Sequence, residues 1–311
     1  MESRRSFLKK SVLIGTAAAL PTLPSCYSSI QATVPMKTKS INKAAVLWYS
    51  QTGNTMRCGK VLAETLEKNK IDVSSGEIRD FNENSIKNID LLVIGAPVFY
   101  YDVPEYVKKF IQSLQDLEGV PVAAYVTFGG PEGNQYNAAC SILEELALKK
   151  GVPVGLSFFQ SISSFTMIYD DEKNFKTKEN TILPDRKTYK KVREYAGTII
   201  SEVKNGSSST FKKSLTLREF STFFGPAWWT KKFTDNHYII KEKCVGCGKC
   251  REKCPTKSID PDSFTVNTDT CIFCLGCVNN CDYQAINIMY RDKRVVGFND
   301  YLKKNNLSFE Y

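Results

Sequence analysis

A single histidine, His237, stands among the 311 residues. Any machine built on an imidazole base would have to use it, and no nucleophile motif accompanies it, so its expected role is ordinary packing or surface chemistry. The lysine-bearing loop that cradles nucleoside triphosphates is missing, as is a Gly-rich pyrophosphate fingerprint, which disfavours ATP and two-phosphate cofactors. The apolar stretch SVLIGTAAAL at 11–20 is too short to cross a bilayer, which takes about 20 apolar residues. Cysteine, by contrast, is plentiful.

The chain opens as an export address. Arg4 and Arg5, followed by Phe7, Leu8 and Lys9, form a polar n-region ahead of that apolar run. The stretch closes with LPSC at 23–26, which resembles the lipobox of bacterial lipoproteins apart from Pro24. These features predict a twin-arginine signal over 1–25 and lipidation of Cys26. The expected location is the outer face of the cytoplasmic membrane, the periplasm or the outer membrane, with lipidated Cys26 as the membrane contact. Twin-arginine export suits cargo that folds around its cofactors before it crosses.

Eight of the eleven cysteines fall between 244 and 281, while Cys58 and Cys140 are isolated. The isolated pair lies in predicted helices and reads as buried small apolar side chains. The formal charge of +9 raises the question of nucleic acid. Of that excess, +3 lies in the signal, +1 in residues 26–205 and +5 from 206 onward. If the eight thiolates hold two four-iron clusters, each site carries about −2, and the two largely offset the basic C-terminal region. Nucleic acid is therefore not an expected partner.

Residues 26–43 are rich in Ser and Thr and broken by Pro35, which predicts a tether with little structure. From 44 to 205, apolar β-type runs alternate with helical periodicity. Strands are predicted at 44–50, 71–78, 90–97, 120–128 and 152–160, with helices near 55–69, after Pro104, up to Gly151, and at 184–203. Continuous apolar strands need helices on both faces, so the fold class is α/β, a doubly wound five-stranded parallel sheet. KNGSSST at 204–210 is a break in composition, and 206–240 reads as an aromatic-rich linker. Its Phe223, Phe224, Trp228 and Trp229 are expected to pack one domain on the other. A cluster domain spans 241–292 and a tail 293–311.

Two motifs carry chemistry. SQTGNT, 50–55, lies between strand and helix, where hydroxyls, backbone N–H groups and a helix N-terminus suit a phosphate monoester. The second is a repeat, CVGCGKCREKC at 244–254 and CIFCLGCVNNC at 271–281, each spaced C-x2-C-x2-C-x3-C. Three closely spaced thiolates wrap one cubane and the fourth reaches the other, giving two [4Fe-4S] sites. The predicted sets are Cys244, Cys247, Cys250 and Cys281 for one, and Cys271, Cys274, Cys277 and Cys254 for the other. Zinc favours paired C-x2-C spacings with a gap between them and disulfides suit an exported chain, but neither explains a duplicated triplet plus one. Asp282 stands where a proline is usual.

SQTGNT resembles the phosphate loop of the flavodoxin family, as GAPVFYYDVPEYVKKF at 95–110 and TFGG at 127–130 resemble that family's second and third flavin loops. The resemblance implies a sheet ordered 2-1-3-4-5 with FMN at its switch point. It implies phosphate contacts from Ser50, Gln51, Thr52, Gly53, Asn54 and Thr55. It also implies that Pro97, Val98, Phe99, Tyr100, Thr127, Phe128, Gly129 and Gly130 flank the ring, with Phe99, Tyr100 and Tyr101 competing to stack on it. The order of domains resembles the flavodoxin–ferredoxin fusion proteins of anaerobic bacteria, with a small α+β two-cluster ferredoxin domain second. The family implies electron transfer with redox partner proteins or a small-molecule acceptor. A carrier between FMN and clusters is expected first; a reductase of a small molecule such as a quinone or nitro compound, and a redox sensor, stand beside it.

Overall fold

The computed structural model describes residues 27–81, 86–99, 101–129, 134–164, 184–214, 231–290 and 292–309. The signal, Cys26, Tyr100, Gly130 and the aromatic cluster at 223–229 lie outside them. Strand β1 (Tyr27–Ile30) precedes β2 (Lys43–Trp48), α1 (Asn54–Lys68), β3 (Asp72–Glu77), β4 (Leu91–Pro97) and α2 (Glu105–Ser113). There follow β5 (Pro121–Phe128), α3 (Gln135–Leu148), β6 (Val152–Gln160), α4 (Arg186–Asn205) and β7 (Phe211–Ser214).

The sheet runs β3-β2-β4-β5-β6, all parallel. Alternation along β2 sends Ala45 and Leu47 to one face and Ala44, Val46 and Trp48 to the other. Helices α2 and α3 bury Val107, Ile111, Ile142 and Leu146 against the first face. Helices α1 and α4 bury Leu62, Leu66, Val192 and Ile199 against the second. A double winding of this kind leaves a crevice where strand order reverses, between β2 and β4, at the strands' C-terminal ends. Cys58 and Cys140 are both fully buried, one in each core.

The N-terminal segment departs from the expected tether. Strand β1 pairs antiparallel with β7, Ile30 opposite Phe211, and Lys37 N–H donates to Gly119 O at 2.8 Å. Ala32, Val34, Met36 and Ile41 pack on the core. Ser and Thr dominate the composition, but these four apolar residues have a surface to bury against, and burial outweighs the local polarity.

The cysteine-rich unit comprises β8 (Thr234–Ile239), α5 (Lys249–Lys253), β9 (Ile259–Asp260), β10 (Thr265–Val266), α6 (Gly276–Asn279), β11 (Ile286–Tyr290), β12 (Lys293–Arg294) and α7 (Phe298–Lys304). Strand β8 pairs with β11 and so belongs to this unit, although its residues fell within the predicted linker. Strand β12 and α7 likewise occupy the predicted tail, with Phe298 fully buried. No helix among the described residues is long and apolar enough to cross a membrane.

Candidate functional site

Loop 50–53 turns from β2 into α1, with Gly53 at φ 88° as the N-cap. That left-handed conformation favours glycine. No side chain caps the helix, so its first N–H groups remain available to an anion. A methyl group on Gly53 would meet the Arg57 guanidinium at 3.1 Å, so the turn is a tight cradle with a cation beside it. Ser50 Oγ accepts from Gly53 N–H at 3.1 Å. Thr55 and Thr127, both buried, share a hydroxyl hydrogen bond of 2.8 Å that ties the first loop to the third. Asn54 Nδ2 donates to Ile162 O at 2.8 Å.

Val98 N–H donates to Thr127 O at 2.9 Å, joining the second loop to the third. Phe99 and Asp102 close a tight turn by reciprocal backbone bonds of 2.7 and 3.1 Å. Phe99 packs partly on the core, whereas Tyr101, at φ 76°, is exposed. Phe128 is buried, and a Cβ on Gly129 would clash with Ser163 backbone at 2.3 Å. Three loops that are far apart in sequence thus meet at the C-terminal end of the sheet, around the cradle.

Gln51 behaves differently from its neighbours. Its side-chain amide points away from the cradle, donating from Nε2 to Tyr49 Oη, to Lys253 O at 3.4 Å and to Cys274 Sγ at 3.5 Å. Its backbone carbonyl accepts from Asn280 Nδ2 at 3.0 Å. Arg79 Nη1 donates to Lys253 O at 3.0 Å, and Asn279 Nδ2 to Ser164 O at 3.2 Å. The two units therefore share a polar seam, and the seam runs through the phosphate-type loop.

On the far side of it, Cys254, Cys271, Cys274 and Cys277 line one cavity with Ile259, Phe273 and Leu275. Cys254 thus stands with the second triplet, although it closes the first run in sequence. Burial pushes the Cys250 thiol up to about 11, and Cys281, like Cys244, lies close enough to add to that rise. The four cysteines of the cavity ring one space, which suits a polynuclear cluster. Backbone N–H groups face the sulfurs: Ser258 to Cys254 at 3.2 Å, Phe273 to Cys271 at 3.4 Å and Ala285 to Cys281 at 3.2 Å. Burial pushes the Cys274 thiol up to about 12 and Cys277 well above its usual value. Holding both as thiolates requires a strong positive charge between them, which an iron core supplies.

His237 was not foreseen here. Its Nε2 lies 3.6 Å from Cys277 Sγ and its ring packs on Phe273 at 5.6 Å. Burial lowers its pKa to about 4, so it is a neutral imidazole on the cavity wall. The six residues between it and Cys244 carry no sequence signal; only the pairing of β8 with β11 carries it there.

The comparisons agree with this division. A flavodoxin domain model matches residues 45–158, and a 4Fe-4S binding domain model matches 237–260. The pyruvate synthase subunit PorD of Methanocaldococcus jannaschii is 38% identical over 58 residues, covering 18% of this chain and 67% of that one. A flavodoxin from the domain Archaea is 19% identical, with a TM-score of 0.39, over 52% of this chain and 99% of its own. The rubredoxin oxygen:oxidoreductase of Desulfovibrio gigas is 16% identical, with a TM-score of 0.40, over 55% of this chain and 38% of its own. The molecule is an iron–sulfur flavoprotein of the electron-transfer class, with FMN in the flavodoxin domain and 4Fe-4S chemistry in the ferredoxin domain. Its arrangement is that of a flavodoxin domain followed by a 4Fe-4S ferredoxin domain.

Proposed function

We propose that this protein is a membrane-anchored electron carrier in which FMN and two [4Fe-4S] clusters form one relay. In this reading the turn at 50–55 holds the FMN phosphate through the α1 N-terminus, with Arg57 adding positive charge. Pro97, Val98, Phe99, Thr127, Phe128 and Gly129 flank the ring, and Tyr101 is the aromatic that covers it. An inner cluster is bound by Cys254, Cys271, Cys274 and Cys277, and an outer one by Cys244, Cys247, Cys250 and Cys281. FMN, when bound, exchanges electrons singly or in pairs, and each cluster exchanges one.

The observation that carries the reading is the contact of Gln51 with Cys274, 3.5 Å across the seam. One loop is a wall of both cofactor sites, an arrangement that serves transfer between them. Exposure supports the order of the relay. Cys247, Val245 and Tyr283 are exposed, whereas Phe273 and Leu275 are buried over the inner site. A partner protein or soluble acceptor would therefore meet the outer cluster. Twin-arginine export and lipidation of Cys26 complete the proposal, because cofactors inserted in the cytoplasm require a folded cargo.

Anaerobic purification followed by flavin, iron and sulfide analysis tests the relay: one FMN and two four-iron clusters per chain are expected. FAD in the heat-released fraction, or iron for a single cluster, would refute it. For the anchor, Cys26→Ala should move the exported protein from the membrane to the soluble fraction, and continued membrane binding would remove that claim.

A further inference from the structure

We infer that Gln51, positioned by Tyr49, is a redox-tuning contact made by the flavodoxin domain on the inner cluster. The loop that holds the flavin phosphate would then also set the potential of the neighbouring iron–sulfur centre. The inference rests on the proposed ligation of that cluster by Cys254, Cys271, Cys274 and Cys277.

Gln51 is held in this role from three sides. Its backbone carbonyl is fixed by Asn280 Nδ2 at 3.0 Å. Its amide is only 6% exposed with the rest of the residue and lies between Tyr49 Oη, Lys253 O and Cys274 Sγ. On the remaining side Gly276 makes room for it, since a Cβ there would come within 2.2 Å of Gln51 Oε1. Tyr49 is fully buried beneath it; its hydroxyl accepts from Gln51 Nε2 and so fixes the amide against Cys274 Sγ. A glutamine selected only for phosphate binding would turn its amide into the cradle. Here the backbone belongs to the cradle and the side chain to the cluster.

The physical consequence has a definite sign. Reduction adds a negative charge to a cluster, and N–H or O–H donors on a ligand sulfur stabilise that charge and raise the potential. Burial works in the opposite direction, because a low-dielectric surrounding penalises the more charged state. Phe273 is 5% exposed and Leu275 2%, so the inner cluster is the more shielded of the two. The Gln51 donor from the other domain offsets that shielding, keeping the inner centre within reach of its neighbours in the relay. Removing a donor lowers the inner potential and leaves the outer one where it is.

The test uses full-length, cofactor-loaded protein carrying Gln51→Met, which keeps bulk and removes the donor, or Tyr49→Phe, which removes the hydroxyl that holds that donor in place. Redox titration followed by electron spin resonance is read in two backgrounds: Cys247→Ala, which leaves the inner cluster intact, and Cys271→Ala, which leaves the outer. Both donor variants should lower the midpoint in the first background and leave it unchanged in the second. An unchanged midpoint in the first, or equal shifts in both, overturns the tuning role. Loss of the inner cluster in both variants makes the contact structural and also overturns it. If Cys247→Ala leaves no intact four-iron signal, the ligand assignment itself has failed and the inference falls with it. That result is distinguishable, because it precedes any donor substitution.

Discussion

At Glu77, burial and charge pairing pull in opposite directions. Its carboxylate accepts from Ser50 N–H at 3.0 Å and pairs with Arg79 at 3.4 Å, yet burial prevails and raises its pKa from 4.5 to about 7. The folded protein therefore binds this proton more tightly than the unfolded chain does. Its stabilising contribution is complete below about pH 4.5 and is lost as pH rises through about 7. Glu77→Gln should flatten the decline in denaturation midpoint between those limits. A variant whose midpoint declines as steeply as the parent's would show that another group is responsible. Nothing in IDVSSGEI marked Glu77, because its position follows from the register that sets it opposite Trp48. The same holds for His237 and for the side chain of Gln51. A residue type and a spacing announce ligands, but they do not reveal what a neighbouring domain brings up against them.

At the scale of elements, the five strands and four helices of the first domain lie within a few residues of where periodicity sets them, since long apolar runs leave little choice. The two-residue strands β9, β10 and β12 carry no period to read. The cysteine runs were legible as a repeat, but their conformations differ in kind. Gly246 and Gly248 adopt φ 69° and 75°, and the equivalent positions in the second run are Phe273 and Leu275, at φ 49° and 58°. Side chains there cost roughly 1 to 2 kcal/mol each in backbone strain. Burying the two against the inner cavity offsets it, at about 1.5 to 3 kcal/mol for a fully buried large apolar side chain. The repeat is thus symmetric in ligands and asymmetric in cover. Crossing of the fourth ligands can be tested by pairing Cys254→Ser with Cys271→Ala, and separately with Cys244→Ala. With Cys254 serving the inner site, the first pair strikes one cluster twice and spares an intact four-iron signal, whereas the second damages both. The reverse pattern would mean that each run closes its own site.

For the whole molecule, both ends of the described chain fold back on the flavodoxin domain: β1 lies on β7, and Phe309 stacks on the Arg57 guanidinium at 3.4 Å. Arg57 also donates to Thr52 O and Asn54 Oδ1, so the C-terminal segment bears on the same loop that receives the ferredoxin domain. Loop 50–55 is where the phosphate cradle, the inner cysteines and the C-terminal segment converge, and disturbing the seam should affect communication between cofactors before it affects their retention. Gly276→Ala isolates that effect. The new methyl group must displace the Gln51 amide, a flexible side-chain end, while Gly276 lies outside both ligand sets and its φ is not in the left-handed region. Flavin and iron contents should match the parent, and the exchange of electrons between FMN and the clusters should slow several-fold after flash reduction. An unchanged rate with Gln51 displaced would show that electrons cross elsewhere, and a fall in iron content would show that Gly276 supports the cluster itself.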